Sequence, residues 1–305
     1  MPRVTHPPAG RVLLVMAIAI AAVSLAAIFV RLADAPGVVV AFWRMAIACL
    51  VLLPWTVRAL RRTPLTRANG LASVAAGVLL GIHFATWISS LGLTTVAASV
   101  TLVATIPLWV AVLAWLVLGQ APTLTVLLGV LTAVAGGAVI AFGDLAAPAS
   151  APAPLLGNGL ALVGAVSGAG YLLLGRSAQR HGLSLQAYVG VAYAVAALVL
   201  LPLPFLLGHA YLGYPAATVL YIVLLALVPQ LIGHTGINYA IRHLEPTKVA
   251  TATLLEPVGA GLAAWWLFTE VPDGLTLIGA ALVLLGVLLT IRSRGAAVLP
   301  DASGT

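Results

Sequence analysis

Residues 107–129 read PLWVAVLAWLVLGQAPTLTVLLG, and residues 257–279 read PVGAGLAAWWLFTEVPDGLTLIG. The two stretches align without a gap at a separation of 150 positions. The matched pairs are Pro107 with Pro257, Ala114 with Ala264, Trp115 with Trp265, Pro122 with Pro272, Leu127 with Leu277, Gly129 with Gly279, and Gly136 with Gly286. Shared leucine or alanine could arise by chance between apolar segments, whereas paired proline, tryptophan and glycine positions indicate an internal repeat.

The composition around this repeat is that of a membrane protein. Of the 305 residues, 62% are hydrophobic and 7% are charged, whereas a soluble domain has about 25% charged residues. Apolar runs of the roughly 20 residues needed to cross a bilayer follow one another with short breaks. The predicted spans are 11–31, 36–57, 69–90, 95–118, 123–143, 155–175, 184–207, 215–241, 246–269 and 274–291. We therefore expect an all-α integral membrane protein with ten transmembrane helices.

The repeat divides these helices into two sets of five. Because five is odd, the second copy must enter the membrane with the opposite orientation, an arrangement common in secondary transporters. The predicted organisation is a first five-helix repeat over residues 1–145, an Ala- and Pro-rich linker over 146–154, a second, inverted repeat over 155–292, and a cytoplasmic tail over 293–305.

The basic residues predict the topology. The net charge is +7, but the arginines lie mostly between apolar runs and form no patch of the kind that binds nucleic acid. They crowd the connections after spans two, six and eight and the tail, whereas the opposite side receives acidic residues. The positive-inside rule then places both termini in the cytoplasm and the multi-pass chain in the plasma (inner) membrane. A secretory signal at the N-terminus is an alternative interpretation of the first apolar run.

Several enzyme and cofactor classes have no support in the sequence. Cys49 is the single cysteine, so neither a disulfide nor a cysteine metal site can form. No catalytic triad or phosphate-binding loop can be recognised. We expect no cofactor and no enzymatic activity.

Glu256 and Arg44 are charged residues that lie deep within predicted spans. Glu256 lies near the middle of the ninth, where a charged side chain costs roughly 2.5–3.5 kcal/mol on insertion scales, and Pro257 next to it is expected to kink or break the helix. Arg44 lies at a depth of about 12 Å in the second span. The two side chains either pair with each other structurally or face a cavity, where Arg44 would bind a carboxylate.

Aromatic and polar residues at matching repeat positions suggest the cavity itself. His83 and Trp87 are four residues apart on one face of the third span, and a shift of 151 positions places His234 and Asn238 at the same points of the eighth. The candidate substrate-binding residues are Trp43, Arg44, His83, Trp87, His234, Asn238, Tyr239 and Glu256.

Several short segments resemble the EamA group of the drug/metabolite transporter superfamily. They are AFWRM at 41–45, AAS at 97–99, IPLW at 106–109, PQLIGH at 229–234, NYA at 238–240, LLEPV at 254–258 and LIGA at 277–280. The chain departs from the family pattern at Gln120, where an acidic residue is usual. The resemblance implies two inverted five-helix repeats, with spans one, three, four, six, eight and nine around a central cavity.

The resemblance also implies transport of small metabolites. We expect a secondary transporter that exports small polar or zwitterionic metabolites, with amino acids as the first hypothesis, by alternating access. Its partners would be a small-molecule substrate, the lipid bilayer and, as an open possibility, a second copy of the chain in a homodimer, with no nucleic acid. The main alternative is proton-coupled export of lipophilic cations or drugs through Glu256. A membrane enzyme acting on lipid head groups and a membrane scaffold without transport activity are the remaining hypotheses.

Overall fold

The computed structural model describes residues 9–118, 123–146, 151–243, 249, 253, 255–269 and 271–292. Within these ranges all regular structure is helical. The helices are, for span 1, Ala9–Ser24 and Ala26–Ala33; span 2, Gly37–Arg62; span 3, Arg67–Ser90; span 4, Val96–Val103 and Ile106–Leu118; span 5, Leu124–Ala146; span 6, Pro154–Arg180; span 7, Leu185–Leu200 and Pro202–Leu206; span 8, Ala216–Leu225, a π-helix Ala226–His234 and Thr235–His243; span 9, Leu255–Phe268; and span 10, Gly274–Arg292.

The predicted membrane-spanning segments correspond to these ten units. Seven of them are long and apolar enough to cross a bilayer, and the described parts of spans 5, 9 and 10 form shorter apolar helices. Residues 147–150 of the predicted linker at 146–154, the tail at 293–305, Gln120 and most of the start of span 9 lie outside the described residues.

Local sequence sets several helix ends. Thr66 caps span 3 by accepting a hydrogen bond from the Asn69 backbone N–H, and the Asn69 side chain accepts one from the Thr66 N–H. This reciprocal capping box satisfies two backbone donors that a helix start leaves unpaired. Span 1 ends at Asp34, which adopts the left-handed conformation (φ 45°) that often terminates helices.

Spans 5 and 10 show how the two halves are related. A Cβ atom built on Gly136 would lie 2.6 Å from the carbonyl oxygen of Gly279, and one built on Gly286 would meet the carbonyl oxygen of Gly129. The contacts run in opposite directions along the two helices, so these equivalent spans are antiparallel. Gly136 and Gly286 are repeat equivalents, as are Gly279 and Gly129. The two contacts are therefore the same contact made twice, as a pseudo-twofold axis requires. The predicted inversion of the second half is therefore present.

The same relationship organises the centre of the bundle. Span 3 packs along span 6, and its repeat counterpart, span 8, packs along span 1. Glycines permit both close approaches: a Cβ on Gly164 or Gly168 would meet the third span at Trp87 or His83, and a Cβ on Gly233 would meet Val23 of the first. Polar side chains on spans 3 and 8 are thereby brought to the middle of the structure.

Two spans are less regular than the sequence suggested. Span 4 is interrupted at residues 104–105, just before Pro107, a position where proline cannot provide a backbone donor. The described helix Leu255–Phe268 of span 9 continues through the equivalent Pro257, and the predicted break before it falls largely outside the described residues. The π-helix in span 8 was not predicted.

Candidate functional site

Arg44 is the most deeply buried charged side chain of the described chain, with no exposed surface. Its Nε donates a hydrogen bond of 2.8 Å to Oε1 of Gln230, and its Cζ lies 3.9 Å from the centroid of the Phe84 ring. Neither terminal nitrogen of the guanidinium has a hydrogen-bond partner. A buried cation with four unpaired N–H bonds is costly unless an anion binds there.

Gln230 is presented by the π-helix of span 8. This segment, Ala226–His234, contains Pro229, which lacks a backbone N–H and so interrupts the regular helical ladder. Thr235 Oγ1 donates to the carbonyl oxygen of Gln230 and thereby satisfies an acceptor within this turn. Wider helical turns of this kind are frequent at functional sites, and here the turn places a fully buried amide against Arg44.

His83 connects spans 3 and 6. Its Nδ1 lies 2.8 Å from the carbonyl oxygen of Gly164, and because a carbonyl can only accept, Nδ1 carries the proton. The ring stacks on Trp87 at a centroid distance of 6.0 Å and is 5% exposed. His83 therefore has an anchoring contact, and its Nε2 is left as the atom that can meet a ligand.

The second predicted histidine, His234, contacts the ring of Phe84 from the other half of the protein. His234 contacts Phe84 edge to face at 5.4 Å, and His83 contacts it at 4.8 Å. His234 is partly exposed. The repeat thus brings both predicted histidines to one aromatic ring on either side of the pseudo-twofold axis.

Hydroxyl and amide groups continue the polar region along span 8. Asn238 donates a 2.8 Å hydrogen bond to the hydroxyl of Tyr171 and another to the carbonyl oxygen of His234. One turn earlier, the hydroxyl groups of Thr235 and Tyr193 are 3.2 Å apart. The predicted candidate Asn238 is thus held by span 6.

Glu256 lies on span 9 and is partly exposed. It interacts electrostatically with Arg44, but no hydrogen bond joins them, because Arg44 donates to Gln230 and its terminal nitrogens are unpartnered. The sequence left open whether the two charges pair structurally, and the structure shows an electrostatic interaction between them but no direct hydrogen bond.

Two of the predicted residues have partners outside this cluster. The indole N–H of Trp43 donates to the carbonyl oxygen of Tyr211, beyond the end of span 7, at 2.8 Å. Tyr239 packs its ring on His243 at 4.6 Å. Both were predicted from their proximity in sequence to Arg44 and Asn238, and neighbouring residues of a helix point in different directions.

Sequence reasoning missed Phe84, Tyr171, Tyr193 and Gln230. All four are buried. Phe84, Tyr171 and Gln230 contact predicted residues, and Tyr193 contacts Thr235. An uncharged Gln inside an apolar span was a usable signal, because an amide in hydrocarbon needs a partner. The three aromatic residues gave no signal, since aromatic residues are ordinary components of apolar helices. Within the described residues, no group of three or more His, Cys, Asp or Glu side chains could hold a metal ion.

A pocket of about 320 Å³ opens at the opposite end of span 2 from the arginine-rich connection. Its lining combines the end of span 1, including Arg31 and Asp34, with the start of span 2 and the end of span 3. Ile88 and Ser89 of the lining directly follow Trp87 in the chain. The pocket therefore lies at the end of span 3 that follows Trp87.

These features define a class of protein: an all-helical membrane protein of two inverted halves that enclose buried polar side chains is built as a transporter. The chain belongs to the EamA-like transporter family, whose model matches residues 9–142 and 155–292. Membership confirms the resemblance found in the motifs, the helical membrane fold and its duplicated halves. It also identifies the protein as a membrane transporter rather than an enzyme.

Two further proteins are similar to this chain. A protein of Streptantibioticus cattleyicolor (strain ATCC 35852 / DSM 46488 / JCM 4925 / NBRC 14057 / NRRL 8057), described as "Probable terminal-alkyne amino-acid exporter", is 35% identical over 116 residues. The match spans 38% of this chain and 38% of that protein. One solved crystal structure matches with a TM-score of 0.62 at 20% identity, over 92% of this chain and 96% of its own; this likeness concerns the fold alone.

Proposed function

We propose that the protein is a secondary transporter that exports small zwitterionic metabolites, with amino acids as the leading substrates, by alternating access. The observation that carries the proposal is the state of Arg44, a fully buried cation whose terminal nitrogens have no partner. Glu256 lies near it and is partly exposed. A site with one cationic and one anionic side chain, not bonded to each other, matches the two charges of a zwitterion.

The surroundings of Arg44 suit the rest of an amino acid. Trp87 and Phe84 supply flat apolar surfaces beside the guanidinium, and aromatic faces accommodate both aliphatic and aromatic side chains. His83, His234 and Asn238 add polar atoms from both halves. The relative of S. cattleyicolor supports amino acids as the substrate class, because its description names an amino-acid cargo.

The way the halves meet supports alternating access. Spans 3 and 6 pack on one side of the pseudo-twofold axis and spans 1 and 8 on the other, so the axis passes between two similar contact surfaces. Rocking of one half against the other would open the Arg44 cluster to either side. The pocket beside Ile88 and Ser89 is the proposed outward route. The positive-inside distribution of arginines supports an orientation in the inner membrane with both termini in the cytoplasm.

Counterflow in liposomes tests the proposal. The purified protein is reconstituted, and uptake of labelled L-norvaline and of the terminal-alkyne amino acid L-propargylglycine is measured against an internal pool of the same compound. We expect saturable uptake by the wild type, none by Arg44→Gln, and normal uptake by Arg58→Gln, since Arg58 is exposed. Absence of counterflow for these probes and for a pool of the common amino acids would contradict the proposal.

A second candidate function has one specific observation in its favour. Glu256 is a partly exposed carboxylate without a hydrogen bond from Arg44, which suits proton-coupled export of lipophilic cations. This mechanism predicts that proteoliposomes expel a lipophilic cation against a pH gradient and that Glu256→Gln abolishes the coupling. The amino-acid mechanism predicts instead a weakened affinity for zwitterions in that variant.

A further inference from the structure

Four buried nitrogen atoms near the centre of the bundle have no hydrogen-bond partner. They are the two terminal nitrogens of Arg44, Nε2 of Gln230 and Nε1 of Trp87. The residues are 0%, 0% and 2% exposed. Folded proteins leave few buried donors unpaired, so several around one point indicate a binding site.

All four nitrogens can only donate. Guanidinium, carboxamide NH₂ and indole N–H groups have no acceptor capacity, and the one acceptor in the set, Oε1 of Gln230, is occupied by Arg44 Nε at 2.8 Å. This bond also fixes the orientation of the amide, because Oε1 must face the arginine and Nε2 must face away from that bond. The three side chains therefore present N–H bonds and have no free acceptor of their own.

The three residues come from three different spans and are held together by their contacts. Arg44 lies over the Phe84 ring, with its Cζ 3.9 Å from the centroid, and the same Cζ is 5.8 Å from the Trp87 ring centroid. Trp87 is fixed in turn by stacking on His83, which is anchored to span 6. The donors are thus positioned before any ligand arrives.

We propose that Arg44, Gln230 and Trp87 form one carboxylate-binding site in the transport pathway, with Phe84 and His83 as its positioning residues. A carboxylate is planar, carries two acceptor oxygens and pairs with two N–H groups of arginine at once. An ammonium group or a lipophilic cation would meet only donors and a like charge. The assignment rests on the proposed export of zwitterions. It specifies that this cluster binds the carboxylate end of the substrate.

Selectivity follows from this chemistry. A site built to hydrogen-bond one group strongly rejects analogues that lack it. For a bound amino acid, we expect the corresponding amide and the decarboxylated amine each to bind at least about a hundredfold more weakly. L-Norvaline, norvalinamide and 1-butylamine form such a series. Pentanoate keeps the carboxylate and lacks the ammonium group, so it isolates this site from the remainder of the cavity.

The indole N–H of Trp87 reports on binding directly. The full-length protein is labelled with ¹⁵N at its tryptophan indoles and embedded in lipid nanodiscs, and Trp87→Phe assigns the signal. We expect norvaline and pentanoate to shift the Trp87 indole proton downfield, and the amide and amine to leave it unchanged. Trp55 and Trp266, which are 56% and 81% exposed, are internal controls that should not move.

Gln230→Glu is the second variant. A glutamate can still accept the bond from Arg44 Nε, so folding should be kept, but it loses the amide donor and adds a negative charge beside the site. We expect the carboxylate-induced shift to disappear while the melting temperature is retained. An unchanged shift in this variant would overturn the assignment.

Other outcomes separate the site from the proposed function. If norvaline is transported but leaves Trp87 unmoved, or if its amide and amine shift the signal equally, the site is refuted and amino-acid transport stands. If pentanoate shifts Trp87 while no amino acid shows counterflow, the site stands and the proposed function fails. No shift with either carboxylate refutes the site.

Discussion

Gly136 and Gly279 lie against each other across the pseudo-twofold axis, so closely that a Cβ on Gly136 would stand 2.6 Å from the carbonyl oxygen of Gly279. Their repeat counterparts, Gly286 and Gly129, make the same contact about two helical turns away along each helix. Spans 5 and 10 are thus joined through backbone, with glycine required at the crossing.

A single methyl group at this crossing should therefore destabilise the protein. We expect Gly136→Ala to cost about 1–3 kcal/mol through overpacking. Gly159→Ala is the matched control, because a Cβ there meets no atom within 4 Å and alanine favours a helix by up to about 1 kcal/mol over glycine. Thermal unfolding in detergent should show the melting temperature falling for the first variant and holding or rising for the second. Equal behaviour of the two would show that the crossing is not tight.

Arg44→Lys separates charge from geometry at the central site. Lysine keeps the positive charge but has no planar fork to hold Gln230 and a carboxylate at once. We expect the KM for norvaline counterflow to rise about tenfold or more, equivalent to about 1.4 kcal/mol or more, with a smaller change in maximal rate. A lysine variant with unaltered KM would show that only the charge matters.

His83→Asn distinguishes anchoring from ligand contact. The asparagine amide can replace the Nδ1–H that donates to Gly164, so the melting temperature should stay close to that of the wild type, but no atom replaces Nε2. We expect reduced norvaline transport by His83→Asn in a protein of normal stability. His83→Leu should lose both stability and transport. Full transport by the asparagine variant would assign His83 to packing alone.

Asp273 should make the start of span 10 sensitive to acid. It accepts hydrogen bonds from the backbone N–H groups of Leu275 and Thr276 and from the Thr276 hydroxyl. Desolvation opposes its ionisation, but these hydrogen bonds outweigh it and lower its pKa. The stabilisation is therefore present above the unfolded-state pKa of about 3.9 and is lost as the pH falls through the lower folded value.

The corresponding variants separate the cap from its charge. Asp273→Ala should cost about 0.5–2 kcal/mol at neutral pH, whereas Asp273→Asn keeps a capping oxygen and should remove only this contribution to acid sensitivity. Melting temperatures measured from neutral pH down to about pH 3 compare the three proteins. An identical pH dependence for wild type and Asp273→Asn would contradict the role of the carboxylate.

The candidate site was predictable where polarity conflicts with the membrane. Arg44, His83 and His234 stand out because each is costly in hydrocarbon, and the structure brings them together around Phe84. Trp43 was selected by its neighbour rather than by such a conflict, and it donates to Tyr211 instead. The partner of Arg44 could not be derived, since Gln230 is 186 positions away and is presented by a π-helix.

The sequence by itself determined the number of helices, their apolar character and the inverted relation between the halves. These follow from run length, composition and repeat spacing, all of which are properties of the chain read in order. Only the tertiary structure decided that Arg44 meets an amide rather than Glu256, and that Trp87 and Gln230 offer unpaired donors beside it. The reason is physical: hydrogen-bond partners depend on distances and directions between spans remote in sequence, which periodicity along one helix does not specify.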